Sequence, residues 1–478
     1  MPLNNFSSLA LNSALMQAVS ALGFTEMTEI QAASLPHMLA GNDIIAQSKT
    51  GSGKTAAFGL ALLSKLDVKN TSVQALVICP TRELADQVSS DIRKLASFTP
   101  NVKLLTLCGG VSIRPQLASL THAPHIVVGT PGRIKDLLQR HVLDVSTVTV
   151  LVLDEADRML DMGFEESINS IIKKTPNTRQ TLMFSATFPD EIRAISKKYL
   201  KKPITVTVGT SHSEEVIEQW FYEVESSGKP EALARLLIEY GAESTIVFCN
   251  TKIDTQRVAD SLYASGFSVL ALHGDLEQRD RDQTLVQFAN KSCSVLVATD
   301  VAARGLDIKE LPLVISYELP TDPEIHVHRI GRTGRAGQKG IAISLVSHSE
   351  ARRIKQIEEK YGLIVRFAKL PAGKKSLTPT PAAMQTLVVY GGRQDKVRPG
   401  DIVGALTGDA GLSADSVGKI DIFTNRAYVA ISRKQAAIAM KRLDAGKIKG
   451  RKFRVQKLSY HPVTANTATY RPKQHETK

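Results

Sequence analysis

Short apolar runs with no polar alternation, each followed by an amphipathic stretch of helical period, recur in two successive blocks of this 478-residue chain. The runs Gln74–Pro80, Ile126–Thr130, Val148–Leu153 and Thr181–Ser185 are rich in Val, Ile and Leu. A strand without a polar face must be covered on both sides, the condition met by a parallel sheet with helices above and below. Stretches such as Arg82–Leu95 and Arg133–Arg140 supply the covering helices. The pattern restarts at Thr245–Cys249, Val269–Leu272, Val295–Ala298, Leu313–Ser316 and Ile341–Leu345, with helices such as Lys252–Ala264 and Gln278–Ala289 between them. Two tandem α/β domains are expected, over residues 1–207 and 218–368, joined by a polar linker at 208–217.

A different composition begins after a Pro- and Gly-bearing linker at 369–383. Residues 384–460 read β-α-β-β-α-β: Thr386–Tyr390, Arg398–Leu406, Val417–Phe423, Ala427–Ile431, Lys434–Leu443 and Arg451–Leu458. That order is the ferredoxin-like arrangement, which includes the RNA-recognition motif. The tail 461–478 is polar and expected to be disordered. Charge divides along the same lines. Residues 1–368 carry 39 basic and 40 acidic side chains, whereas 369–478 carry 21 basic and 7 acidic. A balanced engine with a basic appendage points to a polyanionic partner for the appendage. The four cysteines form no CxxC pair, which argues against a structural metal or a disulfide framework and fits a reducing cytoplasm. No apolar run is long enough to span a membrane, and the first basic residue is Lys49, so a secretory leader is not expected.

The segment Ser48-Lys49-Thr50-Gly51-Ser52-Gly53-Lys54-Thr55 fits the phosphate-loop pattern, with Ser48 in the position of its first glycine. It follows the apolar Ile44–Ala46 and precedes the helical Ala56–Leu66. Glycines let backbone N–H groups close around phosphates, and the helix N-terminus adds positive potential. Lys54 is placed to reach the β- and γ-phosphates, and the Thr55 hydroxyl to bind Mg²⁺. About a hundred residues later, Val150-Leu-Val-Leu-Asp154-Glu155-Ala-Asp157 ends a buried strand in carboxylates. Asp154 suits Mg²⁺, and Glu155 can orient or deprotonate an attacking water.

With these motifs the chain resembles the DEAD-box RNA helicases. It carries Pro80-Thr-Arg-Glu-Leu-Ala85, Gly109-Gly110, Thr130-Pro-Gly-Arg133 and Ser185-Ala-Thr187, then Val247-Phe-Cys-Asn250, Gln278 with Arg281, Thr299–Asp307 and His328–Arg335. The resemblance covers about residues 1–368 and implies two RecA-like domains, with ATP and Mg²⁺ as cofactors. It implies that Arg332 and Arg335 act on the γ-phosphate as arginine fingers, where spread negative charge makes such groups effective. His328 would link to Ser185–Thr187, and Asp307 would contact the ribose. Gly23–Gln31 resembles the adenine-reading motif of the family, with Met27 where proline is usual. Gln31 offers a donor and an acceptor to adenine, and Phe24 a stacking face. Phe6 falls at the second aromatic position of the family or packs in the core.

Pro80, Thr81, Arg82, Gly110, Thr130 and Arg133 resemble the family's RNA-backbone contacts in the first domain, and Asn250, Arg281, Thr299 and Asp300 those in the second. Amides, hydroxyls and single arginines hold a strand without reading its bases. Specificity is then expected from residues 384–460, which resemble the C-terminal domain of one bacterial branch of the family through Arg398–Gly408, Val417–Ile420 and Gly446–Gly450. That resemblance implies docking on a hairpin of large-subunit ribosomal RNA and action on pre-ribosomal particles. Tyr428 is the one aromatic left of the third-strand RNA motif, and Lys447, Lys449, Arg451, Lys452 and Arg454 surround Phe453. Stacking on the sheet, phosphate recognition by the basic edge and a protein-binding role all remain open at this level. An ATP-gated clamp that never opens a duplex would use the same residues as a helicase.

Overall fold

The structure is a computed structural model that describes residues 5–48, 51–188, 190–208, 217–241, 243–303, 311–334, 340–362, 364–371, 378–408 and 411–459. Most of the 208–217 linker, part of the 369–383 linker and the whole 461–478 tail lie outside the described residues, as do Lys49, Thr50, Asp307 and Arg335. The fold class is as expected: two tandem RecA-like parallel sheets and a small antiparallel sheet. The chain divides into two compact units, the first holding the first sheet and the second holding the other two.

The first sheet contains β1 (Ile44–Gln47), β2 (Ala75–Ile78), β3 (Leu104–Leu107), β4 (Ile126–Gly129), β5 (Val150–Leu153), β6 (Gln180–Ser185) and β7 (Ile204–Thr207). Its order is β3-β4-β2-β5-β6-β1-β7, with every pairing parallel. The absence of polar alternation has a direct cause. Val77, Val150 and Val152 face one apolar cluster with Phe58 and Phe184, while Leu76, Ile78, Leu151 and Leu153 face a second with Ile134 and Ile171. Thr81 starts the helix Arg82–Leu95 by accepting from the Leu84 amide at 3.3 Å, the usual remedy for an orphaned N-terminal donor.

The second sheet contains β8 (Ile217–Glu223), β9 (Thr245–Cys249), β10 (Val269–Leu272), β11 (Val295–Thr299), β12 (Leu313–Ser316), β13 (Gly340–Val346) and β14 (Phe367–Ala368). Its order is β10-β11-β9-β12-β13-β8-β14, again parallel throughout. The expected strands are present, and β3, β7, β8 and β14 are additional. β7 and β14 are edge strands, and β3 and β7 carry partly exposed residues, so the doubly buried apolar pattern is diluted in them.

The third sheet contains β15 (Met384–Val389), β16 (Val417–Ile422), β17 (Ala427–Ser432) and β18 (Val455–Lys457), ordered β16-β17-β15-β18 and antiparallel. One face packs Leu387, Val389, Val429 and Ile431 on the helices Pro399–Thr407 and Ala436–Ala445. The last strand is shorter than expected. Lys449 (φ +52°) and Gly450 (φ +78°) turn the chain, and an Ile448–Arg451 bridge closes it before Val455.

The second face of this sheet is not open along its length. Val388 and Tyr428 pack against Val286, on the helix Gln278–Ala289 that precedes β11 of the second sheet. Thr386 Oγ1 accepts from Asn290 Nδ2 and donates to Ser292 Oγ, each at 2.9 Å, and the Met384 amide donates to the Lys291 carbonyl at 3.3 Å. The Ala382 amide donates to Ser268 Oγ at 3.1 Å. All four cysteines are free and buried. Burial pushes the Cys108 and Cys293 thiols up to about 12 and raises those of Cys79 and Cys249 as well. Among the described residues no helix is long and apolar enough to cross a membrane.

Close packing of β4 on β3 gives a testable consequence. A Cβ on Gly129 would overlap the Leu107 carbonyl oxygen, a backbone atom with little room to move. Gly129→Ala is expected to destabilise the first sheet by about 1–3 kcal/mol, read as a lower urea midpoint of its unfolding transition.

Candidate functional site

In a parallel sheet every strand ends on one edge, and the loops leaving that edge gather the functional residues. The sheet order then sorts them. The phosphate loop follows β1, Asp154 follows β5 and Ser185–Thr187 closes β6, three strands that are neighbours. Pro80–Arg82 follow β2, Gly109–Gly110 follow β3 and Thr130–Arg133 follow β4, the other three neighbours. One half of the edge thus carries the nucleotide candidates and the other half the strand-binding candidates.

Gly53 caps the helix Lys54–Ser64 in the left-handed region (φ +92°), and the buried Lys54 Nζ donates back to the Ser48 carbonyl at 3.2 Å. The Ser48 and Ser52 hydroxyls are 2.9 Å apart, and Thr55 is half-buried in the first turn of the helix. The loop is tied to the Gly23–Gln31 segment. Thr28 Oγ1 donates to the Ser52 carbonyl at 2.7 Å, and Gln31 Nε2 to the Gly53 carbonyl at 3.1 Å. Gln31 Oε1 also accepts from the Thr28 amide at 2.9 Å, so the amide expected to read a base holds the loop as well. Phe24 is 38 % exposed and its ring stacks on Phe6, with centroids 6.4 Å apart. Phe6 is 2 % exposed and packs in the first apolar cluster, and Phe24 is the accessible ring of the two.

Asp154 is buried, and its Oδ1 has no hydrogen-bond partner. Burial pushes its carboxyl up to about 6, with Lys54 opposing and the Glu155 charge reinforcing the shift. Glu155 sits at φ +52°, unusual for a residue with a Cβ and a form of strain that marks functional turns. Its carboxylate lies 3.1 Å from Arg158 Nη1. Asp157 has a role that sequence reasoning missed. Its Oδ2 accepts from the Ala186 and Thr187 amides at 3.1 and 2.8 Å and from Thr187 Oγ1 at 3.0 Å, while Ser185 Oγ accepts from the Asp157 amide at 3.2 Å. The Asp154–Asp157 turn and the Ser185–Thr187 turn form one bonded unit. The adjacency of β5 and β6 causes this, and sequence alone does not give that adjacency.

Of the strand-binding candidates in the first unit, Thr81 is buried as a cap, whereas Arg82 and Arg133 are half-exposed. Arg82 lies 3.6 Å from Asp86, Arg133 Nη2 donates to the Val111 carbonyl at 2.9 Å, and Thr130 Oγ1 accepts from the Gly109 amide at 3.2 Å. In the second unit the organising residue is Arg329, 1 % exposed, which lies inside the His328–Arg335 motif and which sequence reasoning missed. It clasps both Asp300 oxygens at 2.7 Å, reaches Asn250 Oδ1 at 2.8 Å and lies over the Phe248 ring at 5.2 Å. Asn250 and Asp300, on loops after β9 and β11, are therefore set by one guanidinium. Arg281 Nη2 donates to the Ala302 carbonyl at 2.7 Å, and Thr299 Oγ1 accepts from the Ala302 amide at 3.3 Å. His328 is half-buried on the helix Pro323–Ile330, and Arg332 is buried just beyond it. In the small domain Lys447, Lys449, Arg451, Lys452 and Arg454 are exposed, but Tyr428 is only 3 % exposed, because Val286 on the helix Gln278–Ala289 packs against it. As placed, Tyr428 offers no ring face to a base.

Comparisons with known proteins agree with this layout. Family models match in order: DEAD/DEAH box helicase over residues 28–195, helicase conserved C-terminal domain over 228–337 and DbpA RNA binding domain over 386–457. The chain is 52 % identical over 454 residues to the ATP-dependent RNA helicase DbpA of Escherichia coli (strain K12), covering 95 % of this chain and 99 % of that one. It is 46 % identical over 360 residues to the DEAD-box ATP-dependent RNA helicase CshA of Bacillus cereus, covering 74 % of this chain and 68 % of that one. Among solved structures, S. cerevisiae Dbp5 bound to RNA and ADP BeF3 is similar with a TM-score of 0.71 at 31 % identity, covering 77 % of this chain and 96 % of that one.

The contact between Gly53 and Gln31 can be tested. A Cβ at Gly53 would stand 2.5 Å from Gln31 Nε2 and 2.9 Å from Thr28 Oγ1, on a backbone that disfavours any side chain. Gly53→Ala is expected to weaken ATP binding about tenfold or more, a loss of about 1.4 kcal/mol, measured by equilibrium dialysis.

Proposed function

We propose, for a chain that belongs to the DEAD-box family of ATP-dependent RNA helicases, that its C-terminal domain directs it to large-subunit ribosomal RNA and that it acts in assembly of that subunit. The observation that carries the reading is full-length agreement with DbpA, including the RNA-binding domain at 386–457. The charge distribution supports it: the acidic-balanced helicase part grips any strand, and the basic C-terminal quarter supplies attraction to a particular RNA. Four buried free thiols are consistent with work in the cytoplasm.

In this reading Phe24 and Gln31 receive the adenine, and residues 48–55 with Lys54 receive the phosphates of ATP. The unpartnered, buried Asp154 Oδ1 and the half-buried Thr55 at the helix start suit a hard cation. Those two residues would hold Mg²⁺, which offsets phosphate charge when bound. Glu155 orients the attacking water and accepts its proton. Asp157 fixes Glu155 from behind, because it anchors the same turn to Ser185–Thr187. Arg332 and Arg335 supply positive charge to the γ-phosphate, His328 couples that event to Ser185–Thr187, and Asp307 holds the ribose. Pro80, Thr81, Arg82, Gly110, Thr130, Arg133, Asn250, Arg281, Thr299 and Asp300 hold the RNA backbone, with Arg329 setting two of them.

Glu155→Gln is expected to lower RNA-stimulated phosphate release by about 10²–10⁴-fold while ATP binding persists. Release at the parental rate would remove the assigned role of Glu155. Ribosomal direction is tested by comparing hydrolysis stimulated by large-subunit ribosomal RNA with that stimulated by a scrambled transcript, and the ribosomal transcript is expected to be the stronger activator. Displacement of a short duplex flanked by ribosomal sequence then separates a helicase from a clamp. Binding to the ribosomal transcript is also expected to weaken steeply between 50 and 200 mM salt, by about 0.7–0.9 log units of affinity per log unit of salt for each phosphate contacted.

A further inference from the structure

The four-stranded sheet divides its second face between two tasks. Along β15 the side chains on that face are Thr386, Val388 and Tyr390, by the period of two. The first two are buried against the helicase sheet, with Thr386 bonded to Asn290 and Ser292, and Val388 packed with Tyr428 and Val286. Tyr390, one step past the strand's end, is half-buried. Val389 pairs with Ala427 on one side and with Val455 on the other, so the antiparallel register places Arg426 and Arg454 beside Tyr390. The contacts bear this out. The Arg426 guanidinium lies over the Tyr390 ring at 5.4 Å and that of Arg454 at 5.5 Å, while the Tyr390 amide donates to the Arg454 carbonyl at 3.0 Å. Gln456 Nε2 donates to the Tyr390 hydroxyl at 2.6 Å, and its Oε1 accepts from Arg454 Nε at 3.2 Å, so one amide ties the ring to that arginine.

We infer that the row Arg426–Tyr390–Arg454 is a nucleotide subsite, taking one unstacked base of a structured RNA together with an adjoining phosphate. The inference rests on the ribosomal reading above and says where on the domain that RNA is held. Aromatic rings and guanidinium planes are the surfaces on which extruded RNA bases stack. The Arg426 guanidinium meets the half-buried Tyr390 ring through a cation–π contact, whereas its hydrogen bonds to a phosphate are charge-assisted, so an incoming nucleotide can draw Arg426 onto a phosphate at little cost. The nearby acidic residue Asp421, paired with Tyr428 in the ladder, is engaged by Lys419 at 3.3 Å. The exposed Lys447, Lys449, Arg451 and Lys452 lead up to Arg454 along the chain and supply further phosphate contacts. The aromatic expected to stack, Tyr428, is spent on the helicase contact, and Tyr390 takes that role.

The test measures filter binding of the full chain to a large-subunit ribosomal RNA transcript and to a scrambled transcript of equal length. Tyr390→Ala and Arg426→Ala are each expected to weaken ribosomal binding about tenfold or more, and Tyr390→Phe, which keeps the ring, to stay within about twofold of the parent. Lys441→Ala removes one charge from the helix on the opposite face of the sheet and is expected to leave affinity within about twofold. Parental affinity in both Tyr390→Ala and Arg426→Ala would overturn the inference. So would an equal loss in Lys441→Ala, which would reduce the effect to net charge. Failure of the ribosomal reading would show separately, as a parent protein that binds both transcripts alike, and the Tyr390 comparison would still decide the subsite.

Discussion

Parallel pairing forces every strand of a sheet to leave by the same edge, and the rest of the architecture depends on that constraint. Seven strands deliver their loops to one line, and strand order decides which loops become neighbours. In the first sheet β1, β5 and β6 bring together a phosphate loop, a buried carboxylate and a hydroxyl-bearing turn. On the other side β2, β3 and β4 bring together amides, hydroxyls and arginines suited to a nucleic acid backbone. No single segment could hold either set, because the nucleotide candidates are spread over residues 48–187 and the strand-binding candidates over residues 80–133.

The candidate ligand-binding groups are held in place by a few well-bonded residues. Gln31 and Thr28 grip the carbonyls of the phosphate loop, Asp157 ties the carboxylate turn to Thr187, and Arg329 sets Asn250 and Asp300 together. Gln31, Asp157 and Arg329 are buried, where an unmet bond is expensive, and each makes several hydrogen bonds. Loss of such a group displaces more than one contact at once. The motifs of this chain are therefore coupled through their supporting residues.

The sequence made the central strands legible, because a strand covered on both faces has to be apolar throughout. β3, β7 and β14 escaped, since partly exposed or two-residue strands lack that demand. The phosphate loop and the Asp154–Asp157 turn were legible from chemistry and flanks, and the structure places them on β1 and β5, the two strands that flank β6. Three things were hidden. The Asp157–Thr187 bonds depend on β5 lying beside β6, a neighbour relation that spacing does not encode. Arg329 reads as one arginine among several, and only burial reveals it as a hub. Tyr428 reads as an RNA-facing aromatic because its own domain leaves that face bare; the cover comes from Val286, in a different domain, about 140 residues earlier in the chain.

The buried cysteines bear on how such a protein can be watched at work. Thiol reagents attack the thiolate, and a sulfhydryl that is both enclosed and held protonated near neutrality reacts slowly. Cys79, Cys108, Cys249 and Cys293 all meet that description. A new cysteine on an outer helix would outcompete the native four for a maleimide dye. Paired dyes, one on each compact unit, would then report by energy transfer whether ATP changes the separation of the units, without first stripping the native thiols.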